Sequence, residues 1–210
     1  MAPHKEVPMG FIDGVFSPGI HMCYIYNDED ERNRIIYRFL ESGLQNGENV
    51  SYFMDTNTAD EMSKRQAALG VDKLYEKQQG RLSVATAQEA YCPTGVFDPD
   101  EMLYKLTEFY AQSLDEGYTG ARATGEMSWA TKGLPGSSRL MEYEARLNST
   151  YIQCPITGIC QYDAKRFENA TLRDVLGVHP MVIFHGQILR NPYYTKSRWL
   201  LKKVLGLNER

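Results

Sequence analysis

His21 and Cys23 stand two apart in the apolar run His21-Met-Cys-Tyr-Ile-Tyr26, so in an extended strand both side chains share one face. Cys160, His179 and His185 fall near other apolar runs. Imidazoles and thiols that converge could hold a soft metal ion or set a thiolate beside a base. The same residue types also have a purely structural use, since buried cysteines pack as small hydrophobes and strand-edge histidines are commonly tied into hydrogen bonds. The spacing therefore assigns no residue to catalysis and none to a metal, and it leaves any cofactor open. No Gly-x-Ser-x-Gly elbow, His-Glu-x-x-His helix or glycine-rich dinucleotide fingerprint occurs.

Carboxylates and aromatic rings gather in three other segments: Arg122-Ala-Thr-Gly-Glu-Met-Ser-Trp129, Tyr143-Glu144 and Cys160-Gln-Tyr-Asp163. Glu126 closes a predicted central strand, where a carboxylate needs a partner or a function, and Arg122 is one available partner. Glu142 and Glu144 lie two apart on a predicted helix, so at most one of them faces a shared pocket. Fourteen tyrosines exceed what packing demands, and rings with polar tips suit a small-molecule pocket; Tyr24, Tyr26, Tyr91, Trp129, Tyr143 and Tyr162 are the candidate lining.

Alternating strands and helices would position these groups. Predicted strands cover residues 21–26, 49–54, 81–86, 121–130, 157–162 and 180–184; predicted helices start at Asn27 or Asp28, near Thr58, at Asp98-Pro99, near Ser138 and near Phe167. Such alternation implies an α/β fold in three layers, with a mostly parallel central sheet and helices on both faces. In such sheets ligands bind beyond the carboxyl ends of the strands. The first of those turns, Tyr26-Asn-Asp-Glu-Asp-Glu31, carries four carboxylates and neither glycine nor lysine, which excludes an ordinary phosphate-binding loop. The proline- and glycine-rich residues 1–19 read as an extended arm, residues 20–195 as the main domain, and residues 196–210 as a basic amphipathic tail with Trp199, Leu200, Val204 and Leu207 on one side.

With 210 residues, 42% of them hydrophobic and 24% charged, the chain can bury one sizeable core. Lys and Arg total 23 against 27 Asp and Glu, a net charge of −4, which gives no basic field for nucleic acid or an anionic membrane. The chain has neither a membrane-spanning run nor a signal-peptide pattern, and its four scattered cysteines suit reduced thiols, so it reads as cytoplasmic.

Taken in order, His21-Met-Cys-Tyr-Ile-Tyr26, Phe39-Leu-Glu-Ser-Gly-Leu44, Gly47-Glu-Asn-Val50, Gly95-Val-Phe-Asp98, Arg122 to Trp129, Tyr143-Glu144, Cys160-Gln-Tyr-Asp163, His179-Pro180 and Asn191-Pro192 resemble the MEDS domain, the methanogen/methylotroph DcmR sensory family. The resemblance spans roughly residues 20–195. It implies a diverged RecA/KaiC-like fold in which the acidic turn at Asp28 replaces the phosphate loop, and it sets Asp55 where KaiC-like enzymes keep catalytic carboxylates; ATPase activity is not implied without the loop. It further implies sensing of small hydrocarbon derivatives, with a binding role for His21, Glu126, Trp129, Cys160, Tyr162 and His179, to which Tyr26 and Tyr143 are added as lining. With no helix-turn-helix or kinase region in this sequence, output is expected to pass through a protein partner, such as a histidine kinase or transcription regulator, or through a homo-oligomer.

The resulting expectation is a non-catalytic sensory domain that binds a small organic molecule at the strand carboxyl ends, with Glu126 and His21 or His179 fixing a polar group. Replacing Trp129 and Glu126 by alanine is expected to abolish binding without unfolding the chain. The alternatives are a hydrolase or transferase using a Cys/His pair or a metal, and an interaction module built on a degenerate nucleotide site.

Overall fold

Asp28 starts the first long helix by accepting a hydrogen bond from the Glu31 N–H at 2.8 Å, with Glu29, Asp30 and Glu31 lying favourably in the first turn. In the computed structural model, which describes residues 6–56, 58–71, 74 and 81–195, this helix (α1, Glu29–Gln45) follows three strands: β1 (Val7–Pro8), β2 (Val15–Phe16) and β3 (His21–Tyr26). Then come β4 (Asn49–Met54), α2 (Ala59–Leu69), β5 (Leu82–Thr86), α3 (Ala87–Tyr91), α4 (Pro99–Asp115) and β6 (Ala121–Glu126). Two short 3-10 segments, Met127–Lys132 and Ser137–Arg139, lead to α5 (Leu140–Gln153), β7 (Ile156–Asp163), α6 (Asn169–Val178), β8 (Met181–Phe184) and β9 (Gln187–Arg190). The proposed tail, with Trp199 to Leu207, lies outside the described residues.

The main sheet has the order β5-β4-β6-β7-β3-β8-β9, parallel throughout except for the antiparallel β8–β9 pair. Strand alternation divides the core into two layers. Met22, Tyr24, Val50, Tyr52, Met54 and Ile159 pack under Ile36, Phe39 and Leu40 of α1. Cys23, Ala123, Cys160 and Tyr162 face α3 to α6 on the other side. The fold is the expected three-layer α/β architecture. The arm pairs β1 with β2 and buries Val7 and Met9 in the α1 layer.

One expected strand is shortened and two elements are added. The strand expected over residues 121–130 ends at Glu126, because the chain winds into a 3-10 turn that buries Met127 and Trp129. The helix α3 was too short to show periodicity, yet a reciprocal capping box between Thr86 and Glu89 supports it. Strand β9 follows β8 through a two-residue turn with His185 at φ 46° and Gly186 at φ 69°, the paired positive angles of a tight hairpin. A histidine where asparagine is usual masks that turn in the sequence.

The Arg122 partner also differs from expectation. Its Nε and Nη2 donate to the Glu48 carboxylate at 2.6 and 3.0 Å, and Nη1 and Nη2 donate to the Phe39 and Pro8 carbonyls at 2.7 and 2.8 Å. Both ends of this ion pair are fully buried. Arg122 thus ties the arm, α1 and β6 together instead of neutralising Glu126.

Candidate functional site

Glu144 is fully buried although it belongs to an otherwise amphipathic helix, because Leu140, Glu144, Leu147 and Tyr151 form one stripe of α5 turned to the sheet. Its Oε1 accepts a hydrogen bond from the Tyr162 hydroxyl at 2.6 Å. Its Oε2 is the meeting point of three other side chains. His21 Nε2 stands 3.1 Å away, His179 Nε2 3.2 Å and Cys160 Sγ 3.4 Å. Cys160 Sγ is also 3.4 Å from His21 Nε2. The four residues come from β3, α5, β7 and the α6–β8 junction, and all are buried.

The outer faces of the two imidazoles are occupied. Asn148 Nδ2 donates to the Val178 carbonyl at 2.8 Å and to the Ala145 carbonyl at 3.2 Å, so the facing oxygen accepts from His21 Nδ1–H at 3.1 Å. His179 Nδ1–H donates to the Val175 carbonyl at 2.8 Å. His179 Nε2 points at Glu144 without the alignment of a hydrogen bond, and it has no other partner. The imidazole rings are 4.2 Å apart, centre to centre.

Burial disfavours charge throughout this chamber. It lowers the pKa of His21, helped by the neighbouring His179, and it pushes the Cys160 thiol well up, with the Glu144 charge acting in the same sense. Burial also pushes the Glu144 carboxyl upward, but the two imidazoles beside it, His179 first and then His21, outweigh it and hold the group well below the usual carboxylate range. The arrangement is one carboxylate surrounded by two imidazoles and a thiol in a water-excluded space. Two glycines make room for the rings that seal it. A Cβ on Gly158 would lie 2.6 Å from the Tyr151 ring, and one on Gly125 would lie 2.2 Å from the Tyr91 hydroxyl.

Trp129 and Tyr143 stand beside this chamber in an aromatic wall. Trp129 stacks on Tyr91 at 5.1 Å and packs on Phe97 at 4.8 Å, while Tyr143 meets Phe97 and Tyr91 edge-on. Trp129 Nε1 is buried without a partner.

Glu126 and Tyr26 lie on the opposite face of the sheet. Glu126 Oε1 accepts from the Tyr52 hydroxyl at 2.5 Å, Arg65 at 2.7 Å and Arg32 at 3.3 Å, and Oε2 accepts from the Asp55 N–H at 3.1 Å. The Arg32 guanidinium is stacked 5.3 Å from the Tyr26 ring centre. Asp55 in turn pairs with Lys132 at 2.7 Å and Arg166 at 3.3 Å. This second polar cluster lies at the carboxyl ends of β4 and β6, as the sequence placed it. His21, in contrast, is the first residue of its strand, and the Glu144 chamber lies between the sheet and its helices.

Of the eight residues singled out from the sequence, His21, Cys160, Tyr162 and His179 converge, Tyr143 and Trp129 adjoin them, and Tyr26 and Glu126 form a separate group. His185 is largely exposed in the β8–β9 turn and belongs to neither. Glu144 is the residue that sequence reasoning left out of the site, and its place in the α5 apolar stripe was the available signal. Glu142, two residues earlier, pairs instead with Arg139 and Arg146 at 2.9 and 3.4 Å.

A cleft of about 530 Å³ opens on the chamber side of the sheet, lined by Thr131, Leu140, Met141, Phe167, Thr171 and Asp174 among others. Phe167 separates the two spaces, since its ring meets Tyr162 edge-on at 5.2 Å.

Comparisons with known proteins agree with this architecture. The KaiC-like protein of Pyrococcus horikoshii superposes with a TM-score of 0.58 at 16% identity, covering 86% of this chain and 80% of that one. The flagellar accessory protein FlaH of Methanocaldococcus jannaschii gives 0.55 at 16% identity, over 81% and 75% of the two chains. At this identity the likeness shows the fold, a RecA/KaiC-like one, and nothing about activity. The transcriptional repressor DcmR of Methylorubrum extorquens is 32% identical over 80 residues, which are 38% of this chain and 30% of that protein. The chain thus matches less than a third of the length of that curated relative. Among the described residues no helix is long and apolar enough to cross a membrane. Residues 20–180 match the family model of the methanogen/methylotroph DcmR sensory domain, and the chain belongs to that family, MEDS.

Proposed function

We propose that this sensory domain binds a small organic molecule in the cleft beside Phe167 and passes the event to a regulatory protein partner through the Glu144 chamber. One observation carries the reading: a single helix, α6, serves both places. Thr171 and Asp174 on α6 line the cleft, while the carbonyls of Val175 and Val178 hold His179 and Asn148. A volume of about 530 Å³ suits a small ligand. Leu140, Met141 and Phe167 supply apolar contact, and Ser137, Thr131 and Arg166 supply polar groups at the rim.

Occupancy that displaces Phe167 or α6 would disturb the Tyr162–Glu144 hydrogen bond and the seats of both histidines. The ligand then favours whichever arrangement of α6 it binds better, which is the requirement for any population shift. Nucleotide does not fit this scheme. Asp28 satisfies the α1 N-terminus with its own carboxylate, and Arg32, one turn on, is turned inward onto Glu126. The ancestral phosphate site is therefore given up in favour of internal ion pairs. The enzyme alternative draws no support from the thiol, because burial keeps Cys160 protonated instead of activating it.

The test uses Trp199→Phe protein, which retains Trp129 as its one tryptophan. Titration with short-chain alcohols, ketones and haloalkanes should give a saturable change in Trp129 emission for at least one compound, because Ala130 and Thr131, the next residues, line the cleft. Filling the cleft with Thr171→Phe should weaken that response roughly tenfold or more. A series without any saturable response, or an unchanged affinity in folded Thr171→Phe protein, overturns the reading.

A further inference from the structure

We infer that His21, Glu144, Cys160 and His179 form a binding site for one divalent transition-metal ion of the zinc class. The inference rests on the chamber alone and does not require a ligand in the cleft. Its first support is the direction of lone pairs. Each Nδ1 is committed as a donor, to Asn148 Oδ1 and to the Val175 carbonyl. A neutral imidazole held this way presents its Nε2 lone pair, and both Nε2 atoms are aimed at Glu144 Oε2, itself an acceptor. Three electron pairs thus converge with only the Cys160 S–H between them. A cation among them turns that conflict into four coordinate bonds.

The second support is dimensional. A tetrahedral ion with bonds of about 2.0–2.3 Å requires its ligand atoms to be roughly 3.3–3.7 Å apart. The four separations between ligand atoms given above are 3.1, 3.2, 3.4 and 3.4 Å, and all pairs in the set lie within 4.8 Å. The Nε2 of fully buried His179, which makes no hydrogen bond within the chain and is aimed into the cluster, is the independent sign of a ligand atom. Asn148, Val175 and Tyr162 then act as the outer hydrogen bonds that orient three of the four ligands.

Two imidazoles, one thiolate and one carboxylate favour zinc or ferrous iron over magnesium or calcium, which prefer oxygen alone. On binding, Cys160 releases its proton to solvent. The ion with Glu144 and the Cys160 thiolate is then electrically neutral, as a buried site requires.

The full chain is the material for the test. Protein expressed with added zinc should carry about one equivalent of zinc or iron by elemental analysis. Protein unfolded in chelator and refolded with Co²⁺ under reducing conditions should show intense visible d–d absorption and a near-ultraviolet thiolate-to-cobalt band. Cys160→Ser should lose the thiolate band while Cys23→Ser, a buried cysteine that faces the Met181 carbonyl, keeps it. His179→Ala should bind Co²⁺ at least roughly tenfold more weakly. Circular dichroism checks that each variant is folded, and the wild-type stoichiometry is decisive even where a variant is not. Folded wild-type protein that holds no metal as purified and takes up none on refolding overturns the inference. A thiolate band unchanged in Cys160→Ser does the same. Neither result touches the cleft titration, so the two readings fail separately.

Discussion

The double variant Trp129→Ala/Glu126→Ala is expected to be largely unfolded at ordinary temperature, contrary to the sequence-based expectation that it would stay folded and lose only ligand. Trp129 has no exposed surface and is held among Tyr91 and Phe97, so truncating it removes a large buried ring and leaves a cavity, at a cost of about 3–5 kcal/mol. Glu126 is the acceptor for buried Arg32, for Arg65 and for the Tyr52 hydroxyl. Its removal leaves buried Arg32 with only the half-exposed Glu29 carboxylate, 3.2 Å away, as counter-ion, a further cost of about 3 kcal/mol, at the low end for a broken buried pair. The two side chains point into different layers but share the turn at Met127–Lys132, so the costs are expected to combine with some coupling between them. Together they approach the whole of a typical domain's stability of roughly 5–15 kcal/mol. Urea denaturation followed by circular dichroism measures this directly. A double variant within about 2 kcal/mol of wild type would mean that Trp129 and Glu126 are not the packing and charge anchors described.

Arg122→Ala is expected to lower stability by about 3–5 kcal/mol on its own, because Glu48 would remain buried without its counter-charge. For a chain of this size that corresponds to a fall in Tm of very roughly 6–20 °C. The loss should be accompanied by loosening of the arm, since Arg122 donates to the Pro8 carbonyl. Hydrogen exchange of the Val7 and Met9 amides should therefore rise more than that of β6, and an arm whose protection is unchanged would show that it is held by Val7 and Met9 packing alone. The substitution lies on the α1 face, so it should leave cobalt absorption of the Glu144 chamber intact in whatever fraction remains folded. That separates a general stability loss from a specific effect at the chamber.

These predictions show why polar residues near one another in sequence had to be sorted by structure. Arg122 and Glu126 are four apart on a strand and share a face, so pairing them is reasonable from spacing, yet about 13 Å of strand lies between them. Glu48 and Arg32, both remote in sequence, reach them across the layer instead. Glu126 does lie at the carboxyl end of β6, where its place in the predicted strand put it. The carboxyl-end rule did not locate the Glu144 chamber, because that site is built inside a layer, where a helix stripe substitutes one carboxylate for an apolar residue.

Much of this protein was already determined by its sequence. Alternating apolar periods specify strands and helices, capping residues such as Asp28 and Asp98 start the helices, and their alternation dictates a parallel three-layer sheet through the right-handed crossover. Family membership was also legible, since ordered short motifs survive even where identity to solved folds falls to 16%. The same motifs named His21, Cys160, Tyr162 and His179, but together with Glu126 and Trp129 and without Glu144. Only the tertiary structure decided that the first four meet on Glu144, that Glu126 belongs to a different cluster, and that Arg122 serves Glu48. Local periodicity fixes which face a side chain takes, but the distance between two faces depends on how helices pack across the sheet, and that is set by non-local contacts no single segment encodes.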